Sequence, residues 1–173
     1  FYPNDVNIAF LPFHHIFGLT CMVVMLSSGV KTVFPDGLRY ISKNLNEYHV
    51  SVFVGVPVLV EAMYKNIEKE IEKTGKTKLI KTMKSICKFL LKFKIDIRRK
   101  VFKIIIDKMG GKMRFVISGG APLDAKVAQG FNDFGIDLVQ GYGLTETAPV
   151  LCAEDLKRRR AGSIGIPMSN VDL

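Results

Sequence analysis

Residues 140–147 read Gln140-Gly141-Tyr142-Gly143-Leu144-Thr145-Glu146-Thr147. These residue types could do nucleotide chemistry. The ring of Tyr142 can stack on a purine, and the Thr145 hydroxyl can donate to a phosphate oxygen. The Glu146 carboxylate can hold the magnesium that accompanies such a phosphate. The glycines let a ligand approach the backbone closely. An apolar, strand-like run (Ile136, Leu138, Val139) precedes them. Taken by itself, the stretch reads more simply as a strand ending in a glycine-rich turn, with Thr145 or Thr147 capping the next helical turn.

The elements that must position these residues alternate along the chain. Strands are expected over 5–11, 31–34, 50–56, 114–118 and 136–140, from alternating or β-branched runs closed by Pro or Gly. Helices are expected between them. The first, to about Ser28, is so apolar that it reads as buried. Others run from Leu38 to Tyr48, with Leu38, Ile41, Leu45 and Tyr48 on one face, and from Pro57 to about Gly75, with Val58, Leu59, Ala62, Met63, Ile67 and Ile71 together. Two basic amphipathic segments follow. Leu79, Ile80, Met83, Ile86, Cys87, Leu90 and Leu91 stripe the first; Val101, Phe102, Ile105 and Met109 stripe the second. A helix over 124–134 comes next, and everything after Thr147 reads as irregular until Ser169, where a further strand begins. This alternation predicts an α/β fold with a mostly parallel sheet covered by helices on both faces. Ligands on such sheets sit outside the carboxyl ends of the strands. The turns after Leu11, Val56, Ser118 and Gln140 are therefore the candidates.

The chain has 173 residues, 48% of them apolar, which is one domain with a real core. Cys21, Cys87 and Cys152 lie far apart among apolar neighbours, which suggests neither a disulfide framework nor a metal site and fits a reducing, cytoplasmic setting. The uncharged run 16–30 is shorter than the roughly 20 residues that span a bilayer. Within the net charge of +9, residues 65–114 hold 17 Lys and Arg against 5 Asp and Glu, so the remainder is slightly acidic. The basicity belongs to one region, 73–109.

Four motifs stand in order: LPFHHIFG (11–18), GVP (55–57), SGGAPLD (118–124) with QGYGLTET (140–147), and GSIGIP (162–167). Together they resemble the AMP-forming acyl-CoA synthetases of the adenylate-forming superfamily, nearest the long-chain fatty acid branch. The resemblance covers nearly the whole chain; only 73–100 is weakly diagnostic. It implies part of that fold's large N-terminal domain. It also implies that a fatty acid is activated by ATP to an acyl-adenylate and passed to coenzyme A, with Mg2+ at the phosphates. Residue by residue, it implies nucleotide contacts from Gly119, Gly120, Ala121, Pro122, Gln140, Gly141, Tyr142, Gly143 and Thr145. Tyr142 would lie beside adenine and Thr145 at the α-phosphate. Thr145 and Glu146 would be catalytic, and Glu146 would hold the metal. His15, Val56, Gly119, Gly143 and Gly165 would line the acyl group. The family's phosphate loop would precede Phe1, and its ribose-binding aspartate and lysine-bearing small domain would follow Leu173, so the 173 residues alone are expected to be inactive.

Rival readings remain. The motifs would also suit another adenylate-forming enzyme, acting on amino or aryl acids, or a lipid-binding module without catalysis. His14 and His15 are unsuited to a shared metal, since neighbours on an extended chain point to opposite sides. Cys152 is expected as buried packing. The basic helices 76–108 are either a solvated face, a peripheral contact with anionic membrane, or a site for another anionic partner. No aromatic platform or reading motif accompanies their charge, so nucleic acid is not expected.

Overall fold

The structure, a computed structural model, describes residues 1–158, 160, 162–169 and 171–172. Arg159 of the basic run 157–160, and Asn170 and Leu173 of the expected last strand, lie outside the described residues. One seven-stranded sheet forms the centre, in the order β2-β1-β3-β4-β5-β6-β7. Strands β1 (Val6–Ile8), β2 (Lys31–Val33), β3 (Val52–Gly55), β4 (Phe115–Ser118) and β5 (Asp137–Tyr142) pair in parallel. Strands β6 (Cys152–Ala153) and β7 (Ile166–Pro167) add antiparallel at the β5 edge. The mostly parallel α/β sheet is as expected. The two edge strands correct the expectation of irregular chain after Thr147, since two-residue strands have no alternation to read.

The sheet carries helices on both faces. Alternation along β3 sends Phe53 to one side and Val52 and Val54 to the other. Phe53, Val116 and Leu138 meet the larger helical layer. That layer comprises α2 (Ile41–Glu47), α3 (Pro57–Lys73), α4 (Thr77–Leu91), α5 (Arg98–Val101), α6 (Lys103–Asp107) and α7 (Ala125–Asp133). On the opposite side, α1 (Ile16–Ser27) sets Met25 against Val52 and Val54.

Several faces differ from the sequence reading. Helix α1 buries only Gly18 and Met25, while Leu19, Val23, Val24 and Leu26 are exposed. Only one of its sides meets the sheet, and an all-apolar sequence does not say which. In α3 the buried residues are Pro57, Val60, Tyr64 and Ile67, and Val58 is exposed. Tyr64 goes inward because α7 offers Gly130 opposite it: a Cβ there would sit 2.2 Å from the Tyr64 ring. Leu38, Leu79, Ile86 and Val101, expected inward, are exposed.

The three cysteines are free thiols; Cys87 and Cys152 are buried. Burial pushes the Cys21 thiol up to about 11 and raises that of Cys87 as well.

A polar clamp ties the amino ends of the central strands. Asp5, 4% exposed, accepts from the Ser51 hydroxyl at 2.7 Å, the Tyr2 amide at 2.8 Å and Arg114 Nε at 2.9 Å. Arg114 Nη2 makes a second bond to the same carboxylate. The Ser51 hydroxyl accepts from the Val6 amide at 2.9 Å. Burial pushes the Asp5 carboxyl up, but the bonds from Arg114 and Ser51 outweigh it and hold it below the ordinary carboxylate value. Its stabilisation is therefore complete above the unfolded value of about 3.9 and is lost as pH falls through the lowered folded value. Asp5→Ala, which leaves Arg114 facing an emptied site, should destabilise the intact protein by about 3 kcal/mol in denaturant unfolding. Asp5→Asn should flatten the acid limb of the stability–pH curve.

Candidate functional site

Strands β3 and β4 finish level with one another and with Gln140 of β5. Gly55 pairs with Ser118, and Ser118 with Gln140. The turns that leave them are thereby set side by side. Pro57, pre-set for a first helical turn, opens α3 directly after Val56. After β4, the Gly119 amide donates to the Gly55 carbonyl at 3.1 Å, and Gly120 takes φ +86°, which favours glycine. Asp124 then caps α7, accepting from the Lys126 amide at 2.8 Å.

Side chains lock these turns together. Gln140 Oε1 accepts from the Leu123 amide at 3.2 Å, tying the 119–123 turn to β5. The Gln140 amide donates to Glu154 Oε2 at 2.8 Å, and the Glu154 amide returns to the Gln140 carbonyl at 2.9 Å. The Phe17 ring lies so close over Gly119 that a Cβ there would sit 3.0 Å from it. Val56 approaches Gly120, where a Cβ would lie 3.9 Å from the Val56 side chain. His15 caps α1: its Nδ1 accepts from the Phe17 amide at 3.2 Å. In the neutral ring this leaves the proton on Nε2. The start of α1, Val56 and the 119–123 turn thus converge on one end of the sheet.

The 140–147 motif begins inside a strand rather than in the turn after one. Gly141 pairs with Ala153 and Tyr142 with Cys152, so β5 runs two residues beyond its expected end at Gln140. The Tyr142 side chain is 43% exposed. A Cβ at Gly143 would lie 1.8 Å from the Pro149 carbonyl oxygen, so this position admits only glycine. Thr145–Thr147 form a single 3-10 turn, and Thr147 is the residue that secures it. Its hydroxyl accepts from the Leu144 amide at 2.8 Å and lies 2.9 Å from the Leu144 carbonyl. With Thr147 as the clasp, Thr145 and Glu146 are exposed. Gly165, at φ +93°, enters β7 where a Cβ would meet the Ala153 carbonyl at 2.0 Å. The 162–167 motif thereby sits against β6, one strand from Tyr142.

Gly120, Ala121, Pro122, Tyr142, Thr145 and Glu146 are all exposed, forming an open edge. A cavity of about 380 Å³ lies elsewhere, between α2, α3 and Lys108–Met109. Among the described residues no three His, Cys, Asp or Glu side chains gather as metal ligands. Glu146 is thus a single carboxylate, a donor set suited to a hard cation whose remaining ligands are phosphate oxygens and water.

Sequence reasoning missed three participants. Phe17 lay within a motif without an assigned role. Glu154 reaches Gln140 through the β5–β6 pairing, which no local spacing reveals. Ser118 is buried with its hydroxyl unpartnered among the described residues.

A parallel sheet that gathers its loops at the carboxyl ends of its strands is an α/β ligand-binding platform. The chain belongs to the AMP-binding enzyme family, whose model matches residues 1–173. It is 31% identical to the peroxisomal long chain acyl-CoA synthetase 7 of Arabidopsis thaliana, over 96% of this chain and 25% of that protein. It is 30% identical to long-chain-fatty-acid–CoA ligase 1 of Homo sapiens, again over 96% of this chain and 25% of that one. The chain therefore spans about a quarter of the length of these relatives. In fold it is similar to the N-terminal domain of FACL13 from Mycobacterium tuberculosis, with TM-score 0.64 and 19% identity, over 95% of this chain and 34% of that one. A benzoate CoA ligase from Burkholderia xenovorans gives TM-score 0.64 and 19% identity, over 98% and 28% of the two chains.

Replacing Gln140 by Leu removes the acceptor for the Leu123 amide while keeping the strand. Losing such a bond costs about 1–3 kcal/mol. Hydrogen exchange at Leu123 should accelerate at least about fivefold in the intact protein.

Proposed function

We propose that this chain supplies one wall of the adenylation site of a long-chain fatty acid–CoA ligase. The observation that carries this reading is the Thr147-clasped turn that presents Thr145 and Glu146 beside the exposed ring of Tyr142. The long-chain acyl-CoA synthetases at about 30% identity support the fatty acid class.

A fatty carboxylate is a poor acyl donor because its leaving group would be oxide. In the proposed reaction a carboxylate oxygen bonds to the α-phosphorus of ATP, and the bond from that phosphorus to the bridging oxygen of pyrophosphate breaks. The thiol of coenzyme A then adds to the acyl carbon, the bond to the AMP oxygen breaks, and the thiol proton leaves. Negative charge builds around the α-phosphate in the first step. Thr145 donates its hydroxyl there. Glu146 would hold Mg2+, which neutralises phosphate charge when bound. Tyr142 stacks on the adenine, and Gly119, Gly120, Ala121 and Pro122, held by Gln140, frame its other side. Gly141 and Gly143 keep the backbone close to the nucleotide. His15, Val56, Gly119, Gly143 and Gly165 line the acyl entrance, with His15 offering its Nε2 proton to the carboxylate. No protein nucleophile is required.

Because the edge is open and the chain spans a quarter of its relatives, we propose that the 173 residues alone do not turn over. Fatty acid-dependent ATP–pyrophosphate exchange at enzyme-like rates by this segment would overturn that. In the intact protein, Glu146→Ala should slow the same exchange at least about 100-fold through lost metal positioning. Near-normal exchange would remove Glu146 from the site. Faster exchange with benzoate or an amino acid than with a long-chain fatty acid would move the substrate class.

A further inference from the structure

Helix α4 carries no acidic residue between Thr77 and Leu91. Its inner side is settled: Cys87 is buried, Ile80 and Met83 pack against the core, and Lys84 pairs with Asp133 at 3.4 Å, its ammonium 4.2 Å from the Phe134 ring centroid. Lys84, expected as part of the exposed basic face, thus belongs to the packing.

The outer side has two rows. Leu79 is 50% exposed and Ile86 44%, and their spacing of seven residues keeps them nearly in line along the helix, while Phe93, 63% exposed, follows in the turn just past its end. Phe89, 59% exposed, joins this row and meets Phe93 edge-on at 5.3 Å. Alongside run Lys78, Lys81, Lys88 and Lys92, all exposed and without ion-pair partners among the described residues. Four large apolar side chains exposed beside a row of lysines form an amphipathic surface, and such contiguous apolar patches mark interaction sites. A protein interface core disfavours lysine, which loses its hydration there. The interface of an anionic bilayer suits both rows at once: apolar side chains enter the acyl boundary while lysines reach up to the headgroups.

We infer that the outer side of α4, continued to Phe93, is a docking surface for an anionic lipid bilayer, lying in the plane of the interface. This stands independently of the ligase reading. The test is flotation of the intact protein with vesicles of phosphatidylcholine alone or mixed with phosphatidylserine. Binding to the mixed vesicles should be at least tenfold tighter and should weaken with salt. Phe89→Ser with Phe93→Ser, and separately Gln at positions 78, 81, 88 and 92, should each reduce it at least tenfold with the thermal midpoint retained. Lys84→Gln should do the reverse, lowering the midpoint while sparing vesicle binding. Equal binding to both lipids, unchanged binding by either multiple variant, or single-stranded RNA competing the protein off the mixed vesicles through these lysines would overturn the inference.

Discussion

The Asp5 carboxylate, bonded to Ser51 and Arg114, is the constraint from which the rest of the geometry follows. Each partner stands just before a different central strand, so one buried charge fixes where β1, β3 and β4 begin relative to one another. Parallel strands lack the tight hairpins that fix register in antiparallel pairs. Here the register is set at the amino ends and expressed at the carboxyl ends, where Gly55, Ser118 and Gln140 fall level. The clamp and the candidate site therefore lie at opposite ends of the same strands.

Gln140 then converts a shared level into a shared surface. Its side chain holds the turn after β4, and its backbone is held by Glu154, the residue that follows β6. The turns after β4 and β5 are in this way coupled directly, and the β6–β7 ribbon is brought in through the same residue. Most of this depends on backbone groups lying close together, which is why the glycines at 143 and 165, where a Cβ would meet a carbonyl oxygen, are so intolerant of one.

The sequence exposed the chemistry more readily than the packing. Tyr142, Thr145 and Glu146 stand out because the roles proposed for them reside in residue type and order. The parallel strands are legible too, since β-branched runs such as 52–54 have no helical period. Helix faces were less legible. Tyr64 goes inward to meet Gly130, whereas Val58 and Leu79, more hydrophobic, stay outside. Those choices are made by a facing helix distant in sequence. The β6–β7 ribbon and the Gln140–Glu154 bonds were hidden for the same reason: each depends on a partner that local spacing does not reach. Of the two threonines that could secure the turn, Thr147 is the one that clasps it, and Thr145 is left exposed.

The state of the cysteines bears on the fidelity of the proposed acyl transfer. An acyl-adenylate will acylate any accessible thiolate, so an enzyme that makes one risks modifying itself. Cys87 and Cys152 are shielded from contact, and Cys21, half-buried, keeps its proton far above neutral pH. A low thiolate fraction removes the competing nucleophile. In the proposed reaction this part of the protein would face an activated acyl group and an incoming thiol without offering a thiolate of its own.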